Sequence, residues 1–224
     1  MKIVNLIGHL IVDKIFNGNN TTETLGGIAN VWFNLLKLNK TLQINVVPQV
    51  IGEALIVVDT DNNRRVGKAV FNHKILKPKI PHSDWCHIAY INQIKDLNFL
   101  QNINSHIISA DITKENPELC YGYLNKIDYL FLSKEDLFDD IDKIGKKVKK
   151  WVIAHDPFGS IYSNGTETFE YKLPKNNYLY NVNVLGAGDA FAATFINEQI
   201  INNKDIHNIV KNSHLKTTNL IKNT

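Results

Sequence analysis

The sequence predicts an α/β protein, a doubly wound and mostly parallel sheet with helices on both faces and a small β lid. Three observations carry this. Short apolar runs recur at residues 2–7, 44–47, 85–91, 107–110, 129–132 and 151–154. Helical patterns alternate with most of them, as in proteins whose parallel strands are joined by crossover helices. Two glycine-bearing turns, Gly26-Gly27 and Gly186-Ala187-Gly188, each open an apolar helix.

The elements follow in order. Residues 2–7 read as a buried strand, Gly8 as a hinge, and residues 10–16 as a second strand. Residues 17–24 are polar and rich in Asn, Gly and Thr, a loop composition. Ile28, Val31, Trp32, Leu35, Leu36 and Leu38 recur at spacings of three and four, which predicts a helix to about residue 38. Residues 54–58 and 66–71 form a hairpin around Asp61-Asn62-Asn63, because Asn tolerates the positive φ of tight turns. Helical segments are expected near 97–103, 115–125 and 139–149. A second hairpin, 160–163 with 168–172, turns at Asn164-Gly165. Helices over 186–201 and 206–221 close the chain.

Composition bounds the function. The chain has 224 residues, a net charge of +3, 44% hydrophobic and 21% charged residues, which suits one soluble globular domain. So small a net charge argues against a nucleic-acid partner. Arg64 and Arg65 are the only arginines, so only they can grip a phosphate in bidentate fashion. Cys86 and Cys120 are too few for a disulfide scaffold and read as reduced thiols, giving a cytoplasmic expectation. Residues 1–16 are interrupted by Asn5, His9, Asp13 and Lys14 and carry no cleavage signature, so no signal peptide is expected. No run approaches the roughly 18 apolar residues of a membrane span.

The sharpest chemical feature is Val184-Leu185-Gly186-Ala187-Gly188-Asp189-Ala190-Phe191. A strand ends in a small-residue turn and a helix begins. The first amides of that helix have no partner in its own ladder, and their partial positive charge favours an anion. Asp189 stands at the same mouth. A carboxylate beside an anion site is a mismatch unless it takes a proton from a hydroxyl that attacks a phosphate. A plain first-turn acid, stabilising the helix dipole by about 0.3–1 kcal/mol, is the simpler alternative. Gly26-Gly27-Ile28-Ala29-Asn30 opens the first helix, and Asn30 offers a donor and an acceptor to a polyhydroxylated ligand. In Gly8-His9-Leu10-Ile11-Val12-Asp13 an acid ends an apolar strand, suited to accept sugar hydroxyls.

Taken in order, these three segments resemble the PfkB/ribokinase family of carbohydrate kinases, over nearly the whole chain, with a weaker likeness to the heptose-phosphate kinase branch. The resemblance implies a ribokinase-like fold with a lid from about 10–24 and 54–71, and transfer of the γ-phosphate of ATP, with Mg²⁺, to a sugar or sugar phosphate. It implies Asp189 as catalytic base, Gly186, Ala187 and Gly188 as the anion hole, and Asp13, Gly26, Gly27 and Asn30 as acceptor-binding residues.

The sequence departs from the family pattern in places. The N-x-x-E segment stands as Ser133-Lys134-Glu135-Asp136, leaving Ser133 on the nucleotide side and Asp136 to meet a metal through water. The T-x-G-x-x-G segment stands as Ala154-His155-Asp156-Pro157-Phe158-Gly159, in which Gly159 remains for the nucleotide. Asn183 replaces an acid before the G-A-G-D turn, and a helix and strand are missing between Val47 and Ala54. These changes keep open a non-catalytic sugar- or nucleotide-binding protein on the same scaffold. The alternation Ala54, Ile56, Val58 leaves open a homodimer through an apolar lid face.

Overall fold

The computed structural model describes residues 1–58, 64–178, 186–202 and 205–222. The expected turn residues 61–63, and Asn183, Val184 and Leu185, lie outside them. Ten strands form one sheet among the described residues. They are β1 (Ile3–Asn17), β2 (Asn20–Gly27), β3 (Gln43–Val58), β4 (Arg64–Ile75), β5 (Ser83–Ile88), β6 (Ser105–Asp111), β7 (Tyr129–Ser133), β8 (Trp151–Asp156), β9 (Gly159–Ser163) and β10 (Thr168–Lys172). The order is β10-β9-β8-β7-β6-β5-β1-β3-β4, with β2 paired to β1. The centre, from β3 through β1, β5, β6 and β7 to β8, is parallel, while β9, β10, β2 and β4 are added antiparallel.

Alternation along the strands builds two cores. Val4, Leu6, Trp85, Tyr129, Phe131 and Ile153 pack under α1 (Ile28–Leu38), α3 (Ala187–Asn202) and α4 (Ile206–Lys222). Cys86, Ile88, Leu130, Leu132, Val152 and Ala154 face the other way. That second face is covered differently from the expectation. The segments predicted as helices there are 3₁₀ turns over Asn98–Asn102 and Pro117–Lys126, and only α2 (Ile141–Gly145) is α-helical. Their apolar residues still anchor the cover, for Leu100, Cys120 and Leu124 are buried. The sequence reading placed helical segments there without distinguishing a 3.0 from a 3.6 period.

Three further expectations are corrected. Gly8 is no break: β1 runs through it, with a register shift against β3 between Gly8 and His9. Residues 20–24, read as loop, are strand, because β2 finds an edge of β1 beyond the end of β5. The separate strands at 44–47 and 54–58 are one strand of 16 residues, so the missing helix and strand are replaced by continuous β3. Beyond the core, β1, β2, β3 and β4 continue as a β extension. Ala54 and Ile56 are buried within the chain, while Phe16, Leu25, Ile51, Val57 and Ile75 are exposed among the described residues. Of the face expected from Ala54, Ile56 and Val58, the first two are thus covered by the chain itself, and the Val58 side chain lies outside the described residues.

Candidate active site

The chain leaves β1 toward β3 on one side and later returns to β5 on the other. Such a switch opens a crevice at the carboxyl ends of parallel strands. The segments singled out in the sequence meet there. At the start of α1, Gly27 has φ 61 and ψ −130. A Cβ there would overlap the carbonyl oxygen of His9, and one on Gly26 would overlap the Asp13 carboxylate. Both glycines are therefore required by close approach, and Gly26 lets the buried Asp13 lie directly against the backbone. The β1–β2 register sets this contact, with Asp13 opposite Thr24 and Ile11 opposite Gly26.

One turn into α1, Asn30 reaches the other helix mouth. Its Nδ2 donates to Asp189 Oδ2 at 2.9 Å. Tyr90 Oη donates to Asp189 Oδ1 at 3.2 Å. Asp189, in the first turn of α3, is 3% exposed. The turn before it is set by Gly186, at φ 77, whose carbonyl accepts the helical bond from Ala190 N at 2.9 Å. The amides of Ala187, Gly188 and Asp189 therefore precede the helix's own ladder. At the end of β8 the His155 ring stacks on Phe191, with centroids 4.5 Å apart. Its edge faces Gly188, with Cε1 3.6 Å from where a Cβ would sit. Desolvation by burial pushes the His155 pKa down to about 4, against the opposing pull of Asp111, Asp156 and Asp136. His214 packs on Phe191 from α4 and hydrogen-bonds Ser160 Oγ through Nε2 at 2.6 Å, and burial takes its pKa to about 3. Two neutral imidazoles thus clamp the ring that starts α3.

By sequence, no family model matches the chain, and no curated protein matches it. Solved structures do. The ribokinase of Thermotoga maritima superposes with a TM-score of 0.74 at 17% identity, over 99% of this chain and 93% of that one. The chain has the ribokinase-like fold. A fructokinase from Vibrio cholerae matches with a TM-score of 0.66 at 14% identity, over 98% and 96% of the two chains. A pyrophosphate-dependent kinase in the ribokinase family, solved with sulfate, matches with a TM-score of 0.66 at 14% identity, over 98% and 95%.

Within this ribokinase-like fold, Asp13, Gly26, Gly27, Asn30, Gly186, Ala187, Gly188 and Asp189 come together around the starts of α1 and α3. The segments that depart from the family pattern lie along β7 and β8, where Ser133 is the register partner of His155. Ser133 Oγ donates to Asp136 Oδ2 at 2.8 Å and accepts from Asp136 N at 3.1 Å, so both are occupied by a local turn. Lys134 Nζ lies 2.9 Å from Asp156 Oδ2. Gly159 has a structural reason of its own, since a Cβ there would overlap the Tyr171 carbonyl across the β9–β10 pair.

Sequence reasoning missed Tyr90 and Asp111, and met His155 only as a departure within the Ala154–Gly159 segment, with no role of its own. Asp111 carried a usable signal, an acid ending an apolar strand, the same signal that marked Asp13. Tyr90 carried none, because its left-handed backbone, φ 53 and ψ 56, is not legible in a tyrosine. Among the described residues no cluster of three or more His, Cys, Asp or Glu groups could hold a metal. This donor set does not fit an ion caged by protein. No helix among the described residues is long and apolar enough to cross a membrane.

Proposed function

We propose that the chain is a phosphotransferase that moves the γ-phosphate of ATP to a hydroxyl of a sugar or sugar phosphate. The observation that carries this is Asp189, a buried carboxylate at the amide-rich start of α3, held by Asn30 from the helix that opens at Asp13. The acceptor lies over Gly26 and Gly27, with Asp13 and Asn30 taking its hydroxyls. As the new O–P bond forms and the bond from phosphorus to the leaving oxygen breaks, Asp189 receives the hydroxyl proton. The amides of the Gly186–Gly188 turn stabilise the charge on the migrating group, which is where most catalytic energy resides in such reactions. Asp136 would meet a donor-bound Mg²⁺ through water, and the ion would supply neutralisation of phosphate charge.

The β extension, formed by β2 and β4 with the distal halves of β1 and β3, serves as the lid over the acceptor, in one domain of 224 residues. A homodimer through that lid would use Phe16, Leu25, Ile51 and Val57, which are exposed on it.

A second reading is favoured by the local turn that occupies Ser133 and Asp136: a sugar- or nucleotide-binding protein without catalysis. An ATP-consumption screen over sugars and sugar phosphates separates the two, with pyrophosphate as a parallel donor because one structural neighbour is a pyrophosphate-dependent kinase. Turnover with any acceptor that Asp189→Asn abolishes supports phosphotransfer. Binding of donor and acceptor without turnover supports the second reading.

A further inference from the structure

We propose that the His87–Asp111 pair is a positioning device for the candidate active site, holding Tyr90 in its left-handed turn so that Tyr90 in turn holds the Asp189 carboxylate. This rests on the reading of Asp189 as base and extends it to residues outside the resemblance.

Tyr90 follows directly on β5, at φ 53 and ψ 56. A tyrosine in that region is strained by roughly 1 kcal/mol or more, so neighbouring contacts must hold it there. Its amide donates to Asp111 Oδ1 at the end of β6. Its carbonyl accepts from Gln93 N at 2.9 Å. The other oxygen of Asp111 lies 3.5 Å from Nε2 of His87, whose side chain is fully buried.

The His87 ring is itself held by the layer beneath. Trp85 Nε1 donates to Ser109 Oγ at 2.8 Å. Ser109 Oγ lies 2.9 Å from His87 Nδ1. An indole N–H only donates, so Ser109 accepts there, and its hydroxyl also meets the His87 ring. With Nδ1 on Ser109, Nε2 is the ring nitrogen on the Asp111 side, 3.5 Å from Oδ2. The β5–β6 register pairs His87 with Ser109, and alternate residues share a face, so Trp85 and His87 with Ser109 and Asp111 form a ladder climbing to the carboxyl edge of the sheet. Its last rung is the Tyr90 hydroxyl on Asp189. The orientation of the base is thereby tied to the sheet core rather than to the loop that precedes α3.

The test compares Tyr90→Phe, Asp111→Asn, Asp111→Ala and the double variant Tyr90→Phe/Asp111→Ala with wild type. Wild type is first assayed over the acceptor panel. Complete inactivity there sinks the phosphotransferase reading, and the positioning claim is then decided by crystal structures alone. Where wild type turns over, Tyr90→Phe and Asp111→Ala each lower kcat by roughly 10–100-fold, the scale of a misplaced reacting group, with both KM values within about twofold. The double variant is no slower than the worse single one. Asp111→Asn, which keeps an acceptor for the Tyr90 amide, recovers most of the rate. In crystals of Asp111→Ala, Tyr90 leaves the left-handed region and its hydroxyl leaves Asp189.

Independent, multiplying losses would overturn the proposal, as would a rise in donor KM with kcat unchanged. An unmoved Tyr90 in the Asp111→Ala crystal would do the same. Should Asp111→Ala fail to fold, His87→Gln is read by the same kinetic and crystallographic criteria.

Discussion

Asn30 and Asp189 lie 159 positions apart in the chain, yet Nδ2 of one donates to Oδ2 of the other at 2.9 Å. The bond joins the first turns of α1 and α3, so the glycine turn near the N-terminus and the one near the C-terminus act as one site. Asp189→Asn keeps the shape and removes the proton acceptor. Turnover should fall by about 10²–10⁴-fold, the usual worth of a general base, while acceptor affinity measured by calorimetry stays close to wild type. Wild-type turnover in this variant would exclude Asp189 as base.

Asn30→Ala tests the other end of that bond. It takes a donor away from a carboxylate that is 3% exposed. Stability should drop by roughly 1–3 kcal/mol, the penalty for depriving a buried polar group of a partner, and acceptor KM should rise. Urea unfolding and steady-state kinetics on the same preparation separate the two effects.

Gly26→Ala and Gly27→Ala should fail for different reasons. At Gly27 the added carbon meets backbone, the His9 carbonyl, in a positive-φ conformation, so the loss is one of folding, about 1–3 kcal/mol in chemical denaturation. At Gly26 it meets the Asp13 carboxylate, a side chain able to move, so the loss falls mainly on acceptor binding. Equal effects of both substitutions on stability and on binding would contradict this division.

The two imidazoles around Phe191 predict a pH dependence of stability. Burial takes His155 to about 4 and His214 to about 3, from an ordinary 6.5. His9 is lowered too, first by burial and then by His73. The unfolded chain therefore binds more protons than the folded one below pH ~6.5. The stabilising contribution is complete above that pH and declines as pH falls toward 4 and then 3, with each histidine adding a slope that approaches about 1.4 kcal/mol per pH unit. Denaturation midpoints between pH 7 and 4 should fall, and His155→Phe, which keeps the stacking on Phe191, should flatten the decline. An unchanged slope in His155→Phe would show that the imidazole is not the group being titrated.

Much of this arrangement was legible in the residues. Alternation such as Tyr129-Leu130-Phe131-Leu132 marks a strand with two covered faces, and the glycine turns announce where α1 and α3 begin. What was not legible had physical causes. The run 20–24 becomes strand because β1 supplies an edge, a tertiary event that no local propensity encodes. The segments over 98–102 and 117–126 lie where helices were expected but wind more tightly, burying Leu100, Cys120 and Leu124. Tyr90 joins the site through a backbone conformation that its own sequence disfavours, held by an acid 21 residues away.

The uninterrupted run of β3 has a mechanical consequence. Together with β1 it carries one ladder of amide bonds from the interior straight out into the β extension, broken in register only beside Gly8. A flap hung on loops swings about its hinges, but a flap made by prolonging the central strands must flex by twisting the sheet itself, which is stiff. Under the proposed phosphotransfer, selection among alcohols would fall to the contours already present in the resting molecule, and a narrow choice of acceptors is the expected result.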